Sequence, residues 1–196
     1  MPDRKEKLSF IAYPFQKPLL LVGMPGCGKT SLAMRLAKLY RLPHVDADYE
    51  IEKAAGCKVS EVFRLYGEAE FRRGEEKIMS RLLNGDVAVI SSGGGSFLSE
   101  NTRALAKQKA VTLFLDADTA TIIRNTQGRS HRPLLNTDNP EQVIADLEQK
   151  RRPYYEQADL KISYSQETFS SLLSRITALL ADAARKTKGA SPCLTC

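Results

Sequence analysis

A glycine-rich stretch early in the chain has the residue types and spacing needed to hold phosphate groups. The apolar run Leu19–Val22 leads into the pattern G-x-x-x-x-G-K-T, which ends with Gly28, Lys29 and Thr30. Glycines let such a loop turn tightly and bring its N–H groups close to phosphate oxygens, and the following helix adds the positive end of its dipole. Lys29 supplies a charge for the β- and γ-phosphates, and the Thr30 hydroxyl is a hard oxygen ligand suited to Mg²⁺. The stretch therefore predicts binding of a nucleoside triphosphate.

Two carboxylates, Asp46 and Asp48, end the second apolar run of the chain. Near a phosphate loop, one carboxylate can hold Mg²⁺ through water, and the other can orient an acceptor hydroxyl or take its proton. The structural alternative is that Asp48 caps the N-terminus of a helix. We favour the chemical role because the pair is expected beside the phosphate loop.

A predicted helix carries Arg72 and Arg73 directly after Phe71. Glu75 lies three residues beyond Arg72, on the same face of the helix, where it can hold the guanidinium in place. Arg72 follows an apolar anchor and is expected to point inward. Arg73 is expected on a solvated face.

Three consecutive glycines, Gly93, Gly94 and Gly95, follow the apolar run 87–90 after two serines. A triple glycine allows the backbone to approach a ligand very closely, and the alternative is a flexible turn. We favour the ligand role because the sequence changes abruptly from a buried strand to glycine.

A polar segment rich in turn-forming residues, 125–139, is framed by Arg124, Arg129 and Arg132. A loop that carries arginine over bound ATP can stabilise charge in the transition state and exclude water. A charged surface loop is the alternative, and we predict a mobile lid. The helix that follows ends in KRRPYY, where one of the arginines can supply a second donor pair for a carboxylate.

Five apolar runs alternate with helical patterns, which predicts a parallel sheet covered on both faces, a three-layer α/β/α fold. The predicted strands are 19–22, 44–46, 87–90, 111–115 and 160–162. The predicted helices are 29–40, 49–55, 58–66, 68–83, 99–107, 116–124, 139–155 and 169–180, with Asp116 as the N-cap of the sixth. Ligands bind at the carboxyl ends of such strands, so the phosphate loop, the two aspartates and the triple glycine should meet at one crevice.

Composition is that of one ordinary globular domain: 196 residues, 42% apolar and 27% charged. A net charge of +6 is consistent with nucleic-acid binding, but no basic run is interleaved with aromatic residues. We instead attribute the positive charge to a site that binds several anionic groups and to a basic tail. We predict a monomer with neither a nucleic-acid nor a membrane partner. No apolar run has the length of a membrane span.

We divide the chain into an irregular N-terminal extension (1–17), a single catalytic domain (18–184) and a disordered tail (185–196). The first residues lack the apolar core of a signal peptide, which favours the cytoplasm. Cys27 inside the phosphate loop favours a reducing compartment, because a disulfide there would obstruct nucleotide. Cys193 and Cys196 form half of a zinc pattern without a matching pair, so we assign them to the tail.

Taken together, the motifs resemble those of shikimate kinases. The resemblance covers about 19–169 and rests on the segments GMPGCGKT, DADYEIEKAAG, EAEFRRGEE, ISSGGGS, RPLL and KRRPYY, in that order. It implies a P-loop kinase fold with a five-stranded parallel sheet and a lid. It also implies transfer of the γ-phosphoryl group of ATP to the 3-hydroxyl of shikimate, with Mg²⁺, in chorismate and aromatic amino-acid biosynthesis.

The resemblance also assigns roles to individual residues. Catalysis is assigned to Asp48 as base, with Lys29 and the lid residue Arg132. ATP is assigned to Gly26, Cys27, Gly28, Lys29, Thr30, Ser31, Arg124 and Arg132. Shikimate is assigned to Asp48, Arg72, Gly93, Gly94, Gly95 and Arg151, and Mg²⁺ to Thr30 with Asp46. The family's lid begins with an Arg-Thr pair, whereas Arg124, Asn125 and Thr126 here indicate a one-residue insertion.

Two alternatives remain open at the level of sequence. The first is a related small kinase acting on gluconate or on a nucleoside monophosphate. The second is an ATPase that switches a nucleic acid or protein partner, because residues 112–116 superficially resemble a strand ending in a Mg²⁺-orienting aspartate.

Overall fold

A five-stranded parallel sheet forms the centre of the computed structural model, which describes residues 10–126 and 139–189. The strand order is β2-β3-β1-β4-β5, and every neighbouring pair is parallel. The predicted fold class is confirmed. The strands are β1 (Leu19–Val22), β2 (His44–Asp46), β3 (Val89–Ser91), β4 (Val111–Ala117) and β5 (Leu160–Tyr164).

Within the described residues, seven α-helices and one short 3-10 turn, Ser96–Leu98, surround the sheet. Most of them begin close to the carboxyl end of a strand, which is the connection that parallel strands require. The helices are α1 (Lys29–Tyr40), α2 (Ala47–Ala55), α3 (Val59–Leu83), α4 (Glu100–Lys109), α5 (Thr119–Thr126), α6 (Pro140–Tyr155) and α7 (Phe169–Gly189).

The central strand β1 is completely buried, since helices cover both faces of the sheet. Leu20 pairs in register with Ile90 of β3 on one side and with Thr112 of β4 on the other. This double burial is why the strand is recognisable as a continuous apolar run. The loop that follows β1 is therefore anchored at the middle of the sheet.

Gly67 divides α3 into two helical pieces. Its φ of 77° and ψ of 172° are not helical, and they lie in a region that suits glycine. The predicted break between helices 58–66 and 68–83 is confirmed. The break separates the first part of α3 from the part that carries Arg72 and Glu75.

The prediction that Asp116 caps a helix is wrong. Strand β4 continues through Asp116, which pairs in register with Ser163 of β5. Helix α5 is capped instead by Asp118, whose Oδ1 accepts a hydrogen bond of 2.8 Å from the Thr121 N–H. Pairing with β5 extends the strand past the point where its apolar run ends.

The described part of the N-terminal extension is irregular, as predicted, but it packs on the domain. The Ile11 N–H donates to the Leu39 carbonyl at 3.2 Å, and the ring of Tyr13 meets Tyr40 edge-on at 5.2 Å. At the other end, α7 continues to Gly189, so the described residues after 184 are helical and the disorder predicted for them is wrong. Residues 127–138 of the predicted lid, Cys193 and Cys196 lie outside the described residues.

In the part of the chain that the structure describes, no helix combines the length and apolarity needed to cross a bilayer.

Candidate active site

The loop between β1 and α1 takes its shape from glycines in the left-handed region of backbone space. Gly26 and Gly28 have φ of 89° and 90°, and Gly28 is the N-cap of α1. Residues with a side chain rarely adopt these angles, so the spacing of glycines is a requirement of the turn. Ser31 lies in the first turn of α1, and Cys27 is buried with a free thiol.

Lys29 folds back over this loop. Its Nζ donates to the carbonyls of Gly23 at 2.9 Å and Met24 at 3.0 Å, and the residue is only 8% exposed. These two backbone carbonyls thus hold the ammonium group at the loop, where the phosphates of ATP are expected to bind.

Asp46 joins the end of β2 to the phosphate loop. Its Oδ2 accepts hydrogen bonds of 2.9 Å from the hydroxyls of both Thr30 and Ser91. Because Ser91 gives its proton to Asp46, Nε2 of His44, 3.1 Å from the Ser91 Oγ, must be the donor in that contact. Burial outweighs the opposing charge of Asp46 and lowers the pKa of His44, which favours the neutral ring.

Asp46, and not Asp48, caps helix α2. The Tyr49 N–H donates to Oδ1 of Asp46 at 3.2 Å, and the helix begins at Ala47. The structural alternative considered for Asp48 is therefore wrong. The carboxylate of Asp48 lies instead beside the triple glycine, because a Cβ added to Gly93 would be 2.6 Å from its Oδ1.

The turn 93–95, which we call the triple-glycine turn, touches every other predicted substrate residue. A Cβ on Gly94 would lie 2.7 Å from Cγ of Pro25 in the phosphate loop. A Cβ on Gly95 would lie 2.2 Å from Nη1 of Arg72. Residues with side chains would collide at these positions, so the glycines allow the two halves of the site to come together.

Arg72 lies against this turn and is fixed by two glutamates of its own helix. Its Nη1 donates to Glu75 at 2.7 Å and its Nη2 to Glu68 at 3.2 Å. Burial alone would lower the pKa of Arg72, but the hydrogen bonds and charges of the two glutamates raise it, so the guanidinium stays charged. Glu75 is buried and also accepts from the Ser96 hydroxyl at 2.6 Å, which fixes its carboxylate. Arg73 is exposed and pairs with Glu70, as expected of a solvated position.

Arg151 reaches the same turn from α6. Its Nη1 donates to the Gly94 carbonyl at 3.2 Å, and the hydroxyl of Tyr155 donates to the same oxygen. Burial raises the pKa of Tyr155 to about 12, against the opposing charge of Arg151, so the phenol remains a donor. Sequence reasoning missed Tyr155, although it ends the KRRPYY motif.

The neighbouring arginine, Arg152, points elsewhere. It pairs with Asp116 of β4 at 2.7 Å and with Glu148 of its own helix. These three residues help to line a polar cavity of about 500 Å³ beside β4, β5 and α6. Asp116 is thus engaged by α6, which removes the support that residues 112–116 gave to a switching ATPase.

Arg124 is exposed in the last turn of α5, and Arg132 lies outside the described residues, so their roles toward ATP stay predictions. The residue next to Arg124 does reach the phosphate loop: Nδ2 of Asn125 donates to the Gly26 carbonyl at 3.0 Å. The hydroxyl of Tyr164 donates to the Cys27 carbonyl. Sequence reasoning missed both contacts, and the signal for Tyr164 was its position at the carboxyl end of a parallel strand.

The parallel sheet, the phosphate loop and the two arginines at the triple-glycine turn, Arg72 and Arg151, are together typical of P-loop kinases. A profile of the shikimate kinase family matches residues 25–181. The chain is 38% identical over 177 residues to a shikimate kinase of Rhodopseudomonas palustris, covering 90% of this chain and 87% of that protein. It is 45% identical over 147 residues to a shikimate kinase of Bradyrhizobium diazoefficiens, covering 75% and 71% of the two chains.

A solved structure gives the same result. Shikimate kinase from Acinetobacter baumannii in complex with shikimate superposes with a TM-score of 0.81 at 30% identity, covering 87% of this chain and 96% of that one. The chain belongs to the shikimate kinase family. Kinases of this family imply ATP and a divalent metal ion.

Proposed function

We propose that this chain transfers the γ-phosphoryl group of ATP to the 3-hydroxyl of shikimate, giving shikimate 3-phosphate and ADP for chorismate and aromatic amino-acid biosynthesis. One observation carries the proposal: Asp48, Arg72 and Arg151 all lie against the triple-glycine turn, which also touches the phosphate loop. Residues far apart in sequence thus surround one place that suits a hydroxylated acid beside a triphosphate.

Arg72 and Arg151 bind the carboxylate of the acceptor in this proposal. They come to the turn from different helices, so an anion between them would receive donors from two directions. Arginine suits this task because its guanidinium is always charged and donates in pairs to a carboxylate. Glu75 and Glu68 hold Arg72 in place with one hydrogen bond each, and the other N–H groups of the guanidinium stay available for a carboxylate.

Asp48 orients the acceptor hydroxyl and accepts its proton as the phosphoryl group is transferred. Its carboxylate lies beside Gly93, and the next residue, Gly94, faces Pro25 of the phosphate loop. Phosphoryl transfer leaves little covalent work for the protein, so positioning and charge stabilisation supply most of the rate.

Lys29 and the amides of Gly26, Gly28, Thr30 and Ser31 hold the phosphates. Cys27, whose N–H donates to the Met24 carbonyl, shapes the loop around them. Thr30 and Asp46 fit Mg²⁺: Thr30 gives its proton to Asp46, which leaves its hard oxygen lone pairs for the cation. The described residues contain no cluster of three or more acidic, histidine or cysteine ligands, as expected where Mg²⁺ is held by few side chains and by phosphate oxygens. Mg²⁺ would neutralise charge on the β- and γ-phosphates.

Arg132 stays the proposed lid arginine, on the basis of its RPLL motif, and Arg124 stays a proposed ATP contact. A monomeric state and a cytoplasmic location likewise stay predictions.

The test is ADP release measured with a coupled assay, using MgATP and shikimate as the acceptor. We expect turnover with shikimate well above the rate with ATP alone, and none with shikimate methyl ester, which keeps every hydroxyl but lacks the carboxylate that the arginines bind. Gluconate and a nucleoside monophosphate complete the acceptor panel. Lys29→Met, purified identically, controls for contaminating kinases.

Turnover with gluconate or with the nucleotide, and none with shikimate, would assign the chain to a related small kinase instead. Equal rates with shikimate and its methyl ester would remove the carboxylate role of Arg72 and Arg151. ADP release that needs DNA or a protein would support the switching ATPase.

A further inference from the structure

Two side chains from distant parts of the sequence donate to consecutive carbonyls of the phosphate loop. Asn125, in the last turn of α5, donates from Nδ2 to the Gly26 carbonyl at 3.0 Å. Tyr164, the last residue of β5, donates from its hydroxyl to the Cys27 carbonyl. Both donors also lie near the Cα of Gly28, because a Cβ there would be 3.9 Å from the Tyr164 hydroxyl and 4.0 Å from Asn125 Nδ2.

These bonds fix the orientation of two successive peptide planes. The peptides are trans, as are all those in the described residues, so each carbonyl and the N–H of the following residue point in opposite directions. Holding the Cys27 carbonyl toward Tyr164 therefore turns the Gly28 N–H away from Tyr164. Holding the Gly26 carbonyl toward Asn125 fixes the Cys27 N–H, which donates to the Met24 carbonyl at 3.2 Å and closes the turn.

The loop needs such restraint because Gly26 and Gly28 flank Cys27. Glycine has more backbone freedom than any other residue, so an unrestrained loop would lose that freedom when phosphate binds. A loop already held in its binding shape avoids this loss. Burial raises the pKa of the Tyr164 phenol far above its ordinary value, so the hydroxyl remains a donor throughout the physiological pH range.

We propose that Asn125 and Tyr164 are positioning residues that hold the phosphate loop in its phosphate-binding shape before nucleotide arrives. They act through the carbonyls of Gly26 and Cys27, and not on the adenosine part of the nucleotide. The proposal rests on the ATP-binding part of the proposed function and is independent of the acceptor.

The experiment measures the affinities of Asn125→Ala and Tyr164→Phe for two ligands, ADP and tripolyphosphate, both with Mg²⁺, by titration calorimetry. Removing one neutral hydrogen bond should weaken ADP binding about fivefold in each variant. Tripolyphosphate, which has no adenosine, should weaken by the same factor. In steady-state assays, KM for ATP should rise while KM for shikimate stays unchanged.

Matched controls remove the same groups away from the loop. Tyr154→Phe removes a hydroxyl from an exposed tyrosine whose ring faces Arg103. Asn101→Ala removes from α4 an amide that donates to Glu76 of α3. Both controls should bind the two ligands like the parent protein. Thermal melts without ligand should give similar Tm values for all variants, because Asn125 and Tyr164 are only partly buried.

ADP binding that weakens while tripolyphosphate binding does not would show contact with the nucleoside and overturn the proposal. Unchanged affinity for both ligands would also overturn it. If one of the two variants failed to fold, the other would still decide, because each removes a separate bond to the loop. Absence of shikimate turnover would contradict the proposed function but leave this result intact.

Discussion

The phosphate loop and the acceptor half of the site are built in opposite ways. The loop, residues 23–30, is one continuous segment in which the backbone is expected to bind the ligand and positive-φ glycines set the shape. The acceptor half draws Asp48 from α2, Arg72 from α3 and Arg151 from α6. There the side chains are expected to bind the ligand, and the triple-glycine turn lets them approach.

Because the two halves are built differently, we expect substitutions in each half to affect a different ligand. A substitution in the acceptor half should alter the handling of shikimate and leave the affinity for nucleotide intact, because different residues are expected to bind the two ligands.

The largest effect is expected for Asp48→Asn. Asparagine keeps the size of the side chain but cannot accept the proton of the acceptor hydroxyl, so kcat should fall by about 10²- to 10⁴-fold. The dissociation constant of MgADP should stay unchanged, because Asp48 belongs to the acceptor half. Steady-state kinetics and calorimetry measure the two quantities.

Asp86→Asn, which changes an exposed carboxylate between α3 and β3, is the matched control and should keep its full kcat. If Asp48→Asn retained its turnover, Asp48 would not be the base. If Asp48→Asn bound ADP more weakly, the acceptor half would also contribute to nucleotide binding.

A smaller effect is expected for Gly95→Ala. The new methyl group would lie 2.2 Å from Nη1 of Arg72, so the guanidinium must move away from the turn. Loss of a charge-assisted contact to the acceptor carboxylate should raise KM for shikimate by about tenfold to a hundredfold. Gly95 has an ordinary φ of −107°, so the backbone accepts alanine. The fold should still lose about 1–3 kcal/mol, because the displaced Nη1 also donates to the buried Glu75.

Gly74→Ala serves as the control for this variant. Gly74 lies in α3 with open space where a Cβ would be added, so alanine should stabilise the helix by about 0.5–1 kcal/mol and leave KM unchanged. A KM for shikimate that is unchanged in Gly95→Ala would mean that the position of Arg72 against the turn does not matter for the acceptor.

The comparison also explains how far the sequence could predict the structure. The phosphate loop was predictable from local spacing alone, because every constraint on it lies within a few residues of the next. The buried runs of β1 and β4 likewise predicted the sheet, and the helical patterns predicted 58–66 and 68–83 as separate helices. What could not be predicted locally is which arginine reaches the triple-glycine turn.

Arg151 and Arg152 illustrate this limit. They are adjacent and chemically identical, yet Arg151 donates to Gly94 and Arg152 pairs with Asp116. Only the resemblance to a family distinguished them, since the direction of each side chain depends on how α6 sits on the sheet. The error at Asp116 has the same origin, because its strand is extended by pairing with β5 and not by its own sequence.

Asp116→Asn should therefore affect stability and neither half of the site. Burial would raise the pKa of Asp116, but hydrogen bonds from Arg152, Lys161 and Ser163 outweigh it, and the folded-state pKa lies below the ordinary value. A depressed carboxyl pKa stabilises the fold above the unfolded-state pKa of about 4, and the stabilisation is lost as pH falls through the folded-state value.

Urea unfolding at pH 7 should show a loss of about 1 kcal/mol in Asp116→Asn, a modest value because Arg152 and Lys161 are partly exposed and screened by solvent. The gap between the two proteins should narrow as the pH falls from about 4 through the folded-state pKa, because the unfolded parent chain takes up a proton before the folded carboxylate does. KM for shikimate and for ATP should both stay unchanged at pH 7. A change in either KM would mean that the Asp116–Arg152 pair is coupled to the cleft through the neighbouring Arg151, and the separation between stability and binding would then fail at this helix.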